Sequence, residues 1–177
     1  EEALLNRAEA YVMKMQEDPS ALDSALADMN MYASNLFSSG FTPMTEESIK
    51  KWATETYSNY SELYVGKTSE TSPQTLNPKK KLFAPPYNAL EKGSTQESML
   101  QALLFMRRYQ FLHEGMRWFD TRRFGITVYR YTLDEDDETV LQITDQISDE
   151  DGTPDPRRAL QLPSDVIAAG LTPNPRN

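Results

Sequence analysis

Carboxylates are the commonest reactive groups in this sequence, and they cluster in Asp134-Glu135-Asp136-Asp137-Glu138 and in Asp149-Glu150-Asp151-Gly152. Paired carboxylates cleave glycosidic bonds when an apolar surrounding keeps one of them protonated while its neighbour stays ionised. Both runs lie in polar turns, where nothing raises one acid's pKa, so glycoside hydrolysis is a weak reading. Clustered oxygens also suit calcium, but Asp149-Glu150-Asp151-Gly152 lacks the EF-hand spacing, and no metal is expected. His113 is the only histidine. A general base needs a substrate and an orienting partner within hydrogen-bond reach, and Glu114 beside it points to a different side of a helix. Cysteine is absent, which removes thiolate nucleophiles, disulfides and cysteine metal sites together. The sequence holds no glycine-rich phosphate loop and no serine nucleophile motif. The expectation is therefore a binding protein, not an enzyme, without a cofactor.

Binding chemistry is better supplied. A pyranose ring presents a face of C–H groups that an aromatic ring can cover while amides and carboxylates bond its hydroxyls. Trp52, Tyr57, Tyr60, Tyr64, Phe83 and Tyr87 gather in one polar region and are the candidate ligand-binding residues. Trp52 and Tyr57 are also suited to packing a helix, and the others to pinning a loop. The net charge of -9 and sequence pI of about 4.7 disfavour a nucleic-acid partner, which needs a basic footprint. Lys79-Lys80-Lys81, the one basic run, reads as a solvated loop.

These groups are carried by a mainly helical chain. Leu4, Leu5, Ala8, Tyr11, Val12 and Met15 recur at helical spacing, as do Leu22, Ala25, Leu26, Met29, Ala33 and Leu36. Pro19-Ser20 marks the start of the second helix, and Ala8 and Ala25 are small enough for a close crossing. Residues 1–37 therefore predict a helical hairpin of tetratricopeptide type, one copy of a unit that must pack on something else. Residues 41–95 form a variable insertion. It opens with a short helix in which Thr45 is the N-cap and Ser48 takes the third position, and it continues as a long proline-containing stretch. Residues 94–125 predict one long helix, capped by Ser94 or Thr95 and ended by Gly125. Residues 126–177 change period: Ile126–Thr132 and Val140–Ile143 predict a β-hairpin, followed by a non-helical tail. All 177 residues make one region, with no run of roughly 20 apolar residues to span a membrane.

Arg107-Arg108-Tyr109-Gln110, followed by Glu114-Gly115-Met116-Arg117-Trp118-Phe119-Asp120-Thr121-Arg122-Arg123, resembles the C-terminal helix of the SusD/RagB family. Leu4–Tyr11 and Ala25–Asn30 resemble that family's last tetratricopeptide hairpin, and Leu162-Pro163 with Leu171–Pro175 its closing strand and Asn-Pro tail. Gln110 departs from the family's acid, so a neutral hydrogen bond takes the place of a salt bridge; His113 stands where an aromatic or apolar residue is usual. The resemblance implies the C-terminal portion of a cell-surface lipoprotein, anchored in the outer membrane through an N-terminal part absent here. Its partners would be that N-terminal remainder, a TonB-dependent (SusC-like) transporter and a nutrient, above all a glycan, as in polysaccharide utilisation. The alternative is a tetratricopeptide-like scaffold that binds a protein or peptide. Within the block, Glu114, Arg117, Asp120 and Arg123 step by three with alternating sign, a spacing worth about 0.2–0.5 kcal/mol per neighbouring pair on a helix. The expected roles are structural: Gly115 permits close approach of another backbone, Trp118 and Phe119 are core anchors, and the charges tie the helix to the preceding repeat.

Overall fold

The computed structural model describes residues 1–37, 39–56, 81–135 and 140–176. Tyr57, Tyr60, Tyr64, Lys79, Lys80 and Asp136–Glu138 lie outside the described residues. The chain is mainly helical with one small antiparallel sheet, and it divides into two compact units. Among the described residues, the first unit comprises 1–56 (less 38) and Ala89–Asp120; the second comprises Lys81–Asn88 and 121–176.

In the first unit, α1 (Glu2–Lys14) and α2 (Ala21–Leu36) pack against each other, and α1 also packs on α4 (Thr95–Gln110). Leu5, Ala8 and Val12 on α1 are fully covered, as are Ala25 and Met29 on α2 and Met99 and Leu100 on α4. Burial of a leucine-sized side chain contributes about 1.5–3 kcal/mol, so these positions, which on α1 and α2 belong to the expected apolar stripes, hold the unit together. The turn between α1 and α2 differs from expectation. Ser20 makes no side-chain cap; its hydroxyl donates instead to Asp18 Oδ1 at 2.6 Å, which also accepts the Ser20 amide.

Helix α3 (Glu46–Lys51) runs into a π-helical turn at Trp52–Thr56 and packs on α4. Thr45 Oγ1 accepts from the Ser48 amide at 3.1 Å, while Ser48 Oγ accepts from the Thr45 amide at 2.9 Å, a reciprocal cap built with serine in place of glutamate. Thr45→Ala removes one of these two bonds and is expected to cost about 1 kcal/mol, read as a lower urea midpoint with unchanged slope. The segment before α3 is fixed to α2 by Asn30, whose amide both donates to the Met44 carbonyl and accepts from the Met44 amide. Ser94 caps α4 by accepting from the Glu97 amide, and the neighbouring Thr95 hydroxyl donates to Glu46 on α3 at 2.6 Å.

The helix expected over 94–125 is two helices. Helix α4 ends at Gln110 and α5 (Met116–Phe124) begins after a turn in which His113 has φ 67° and Gly115 φ 75°. Left-handed backbone at these two positions cannot continue a right-handed helix. Gly115 is thus a conformational hinge, not a site of close approach: a Cβ built there meets nothing within 4 Å.

In the second unit, β1 (Val128–Leu133) pairs antiparallel with β2 (Val140–Ile147), with irregularities after Arg130 and Thr132. The alternation of residue types over Ile126–Thr132 does not bury one face of β1. Every β1 residue but Tyr129 is exposed. A two-stranded ribbon has few neighbours to bury against, and bulges twist it further. A short 3₁₀ turn at Pro156–Arg158 and a last short helix, α6 (Ser164–Ala168), complete this unit, and another 3₁₀ turn at Tyr87–Ala89 ends its 81–88 segment. The tail is tied down by Gln161, whose amide bonds the Asn174 backbone in both directions, and by Asn174 Nδ2 donating to the Leu160 carbonyl.

Candidate functional site

The α4–α5 joint is organised by a buried ion pair. Arg107 falls on the inward stripe of α4, after Leu100, Leu103 and Leu104. Its Nε donates to Asp120 Oδ1 of α5 at 2.9 Å, and its Nη1 to Asn6 Oδ1 of α1 at 2.7 Å. The two charged side chains are 4% and 2% exposed. The guanidinium also lies 5.4 Å from the Phe111 ring centroid. Three helices are therefore joined by one side chain. Close by, Tyr32 of α2 donates its hydroxyl proton to Gln110 Oε1 at 3.1 Å. Burial raises the Tyr32 phenol's pKa.

The staggered charges behave differently from a ladder along one helix. Glu114 is exposed and precedes α5. Asp120 reaches back thirteen residues to Arg107. Arg123 lies over the Phe124 ring at 4.4 Å. Arg117 is half-buried, and its Nη1 is enclosed without a hydrogen-bond partner. Desolvation lowers its pKa, Asp120 opposes that shift and Arg108 adds to it. Phe119, expected as a core anchor, is 60% exposed. Trp118 is half-buried. The break at 111–115 resets the helical phase, so a pattern drawn along one continuous helix puts Phe119 on the wrong side.

The candidate aromatics are distributed. Trp52 is in the first unit, half-buried, with Phe105 edge-on at 5.7 Å and 62°. Phe83 and Tyr87 are in the second, both half-buried; Tyr87 packs on Phe124 at 4.3 Å, and the Phe83 amide donates to the Phe124 carbonyl at 3.1 Å. Phe83 and Tyr87 are thus gathered around the end of α5. Tyr57, Tyr60 and Tyr64 lie outside the described residues. Among the described residues no cluster of three metal-ligating groups is present, and no helix is long and apolar enough to cross a membrane.

The end of α5 is held by two devices. The Ile126 amide bonds the Thr121 carbonyl at 2.9 Å around Gly125, whose φ is 66°, a glycine-based helix stop. Arg158 then reaches in. Its Nε pairs with Asp149 at 2.7 Å, its Nη1 donates to the Thr121 carbonyl and its Nη2 to the Ile126 carbonyl. A cation at a helix C-terminus is also favoured by the helix dipole. Neighbouring Arg157 bonds Asp145 and Asp155 and the Gln146 carbonyl. Hydrogen bonding to Arg157 is the largest cause that holds the Asp155 carboxyl at about 2. Its contribution to stability is complete above the ordinary carboxylate value near 3.8 and fades as pH falls through about 2. A carboxyl-carbon NMR titration should place the Asp155 midpoint at about 2, moving upward toward ordinary values in Arg157→Gln.

Neither Arg107 nor Arg158 belongs to the residues selected by spacing alone, yet one signal was available. An arginine on the apolar stripe after Leu100, Leu103 and Leu104 demands a buried partner. Arg158 sits in a segment without periodicity and carries no such signal.

The fold and its joints define a mainly helical chain with a small antiparallel ribbon, organised by buried arginine–carboxylate pairs. No protein-family model matches it, and no curated protein or solved structure does either.

Proposed function

We propose that this chain is the C-terminal part of a SusD/RagB-like nutrient-binding protein of the outer-membrane surface. In this reading it captures a glycan or similar nutrient without chemistry and delivers it to a TonB-dependent transporter. The observation that carries the reading is the block Glu114–Arg123, with Arg107 upstream. It resembles the family's C-terminal helix, and its Arg107 and Asp120 join that helix to α1 of the hairpin that resembles the family's last repeat. The described candidates for ligand contact are Trp52 in the first unit and, separately, Phe83 with Tyr87 in the second. The test is calorimetric binding of a glycan panel to the protein expressed from its complete reading frame, together with co-purification of a transporter from the outer membrane. Binding of a glycan, weakened by Trp52→Ala or Tyr87→Ala, supports both the function and that contact. Unchanged affinity in both variants removes these aromatics from the site. Absence of a glycan ligand and of a transporter would leave the tetratricopeptide-like scaffold as the reading to pursue.

A further inference from the structure

The turn that follows β2 contains the one aspartate–glycine bond in the sequence, Asp151–Gly152. An aspartyl carboxyl carbon and the amide nitrogen of the next residue can close a five-membered ring, a succinimide, and water then reopens it on either side. Opening at the side-chain carbonyl restores aspartate. Opening at the backbone carbonyl leaves isoaspartate, in which the chain runs through the former side chain. A side chain on the next residue shields the attacking nitrogen, and regular helix or strand geometry holds it away from the carboxyl. Glycine brings no such shield and few backbone restrictions.

The structure adds three conditions. Asp151 and Gly152 are exposed and lie outside helix and strand. Gly152 has φ 83°, and a Cβ built there would meet nothing within 4 Å, so no neighbour covers it. Asp151 Oδ1 accepts from the Thr153 amide at 2.8 Å. A bond from a side chain to the amide two residues on folds the carboxyl back along the chain, toward the nitrogen between them. One contact opposes attack: the Gly152 amide donates to the Asp149 carbonyl at 3.0 Å. It is a single surface turn bond that water can replace, so it slows the attack without blocking it. The other described aspartates lack this arrangement. Asp18 and Asp155 precede proline, which has no N–H to lose. Asp23, Asp28, Asp120 and Asp165 lie in helices and Asp145 in β2. Asp134 is followed by glutamate, and Asp149 is buried against Arg158.

We propose that Asp151–Gly152 is a site of spontaneous aspartate isomerisation, and that isoaspartate at 151 loosens the hold of Arg158 on the end of α5. The bond from Gly152 N to Asp151 Cγ forms as the carboxyl hydroxyl and the amide proton leave together as water. Hydrolysis of the bond from that nitrogen to the Asp151 backbone carbonyl returns the water, so the mass is unchanged. Asp149 accepts from the Asp155 amide at 2.9 Å, which closes 149–155 into a loop, and pairs with Arg158 at 2.7 Å. Isoaspartate puts one more carbon into the backbone of that loop. The inference does not depend on nutrient capture.

The test ages the full chain in warm neutral buffer and digests it. The peptide containing residue 151 should yield a second species of equal mass and different retention. That species should accept a methyl group from S-adenosylmethionine through an isoaspartyl methyltransferase. Asp151→Glu, at an exposed position, puts the carboxyl one carbon too far for the five-membered ring and should lose the second species entirely. Ageing should also lower the urea midpoint and shift the NMR signal of the Arg158 Nε–H in the unsubstituted chain, and do neither in Asp151→Glu. No isomer at 151, as much at other aspartates, or an isomer that persists in Asp151→Glu would overturn the site. An isomer that forms in the urea-unfolded chain but not in the folded one would overturn it by showing that the turn protects the bond. An isomerised chain with the Arg158 signal unmoved would overturn the loosening of Arg158.

Discussion

Gly125→Ala is expected to destabilise the second unit by about 2–5 kcal/mol, because the new methyl group would meet two separate obstacles. The first is conformational. With φ at 66°, the position lies in left-handed space, where an L side chain costs roughly 1–2 kcal/mol. The second is steric. A Cβ at Gly125 would lie 2.5 Å from the Ala84 amide nitrogen, 3.1 Å from the Ala84 Cβ and 3.2 Å from Asp149 Oδ2. Overpacking of this kind costs about 1–3 kcal/mol. Ala84 cannot retreat freely, since its amide and that of Phe83 both donate to the Phe124 carbonyl. Asp149 cannot retreat either without loosening its bond to Arg158. Gly115→Ala is the control: its φ is 75° but nothing lies within 4 Å, so only the conformational cost of about 1–2 kcal/mol applies. Urea unfolding of both variants checks the difference. Equal losses would mean that the 83–84 backbone gives way at no cost. Because Tyr87 packs on Phe124, Gly125→Ala is also expected to alter any ligand affinity that depends on Phe83 and Tyr87.

The pair of glycines shows what was legible in the sequence and what was not. Gly125 as a helix stop follows from its position after an apolar run, and the stop is there. Gly115 inside an apparently continuous pattern reads as a packing contact, since the sequence does not display φ. The left-handed turn at His113 and Gly115 breaks the helix, shifts the phase of everything after it and leaves Phe119 in solvent. Local caps were readable because they depend on residues three positions apart: Thr45 with Ser48, and Ser94 with the Glu97 amide. The inward faces of α1, α2 and α4 were readable because periodicity reports burial directly. The alternation in Ile126–Thr132 reported a strand but not a buried face, because burial requires an opposing layer that a period of two does not encode. Of the candidate site, the sequence supplied residue types and a neighbourhood. It could not foresee that Trp52 would belong to one compact unit and Phe83 and Tyr87 to the other.

The largest single-residue effect in the first unit should come from Arg107. Its replacement by alanine leaves the Asp120 carboxylate covered, at 2% exposure, without the guanidinium that neutralises it. Removal of one member of a buried ion pair typically costs about 3–5 kcal/mol, most of it the penalty of the charge left behind. Asp120→Ala is expected to fall in the same range, since it strands the guanidinium instead. Asn6, on the exposed side of α1, can exchange its lost bond for water and adds little. The decisive comparison is the double variant Arg107→Met, Asp120→Leu. If the pair's principal cost is desolvation, apolar replacements of similar shape should recover much of either single loss, because neither member of the pair is then left charged without the other. Stability would then return without the directional bonds that set α5 against the end of α4. The two outcomes separate stability from positioning. A double variant that is stable, yet shifts the NMR signals of Trp118 and Arg117, would show that the ion pair's role is to fix the geometry of the joint. A double variant as unstable as either single one would show that the bonds themselves, and not relief of a stranded charge, hold the three helices together.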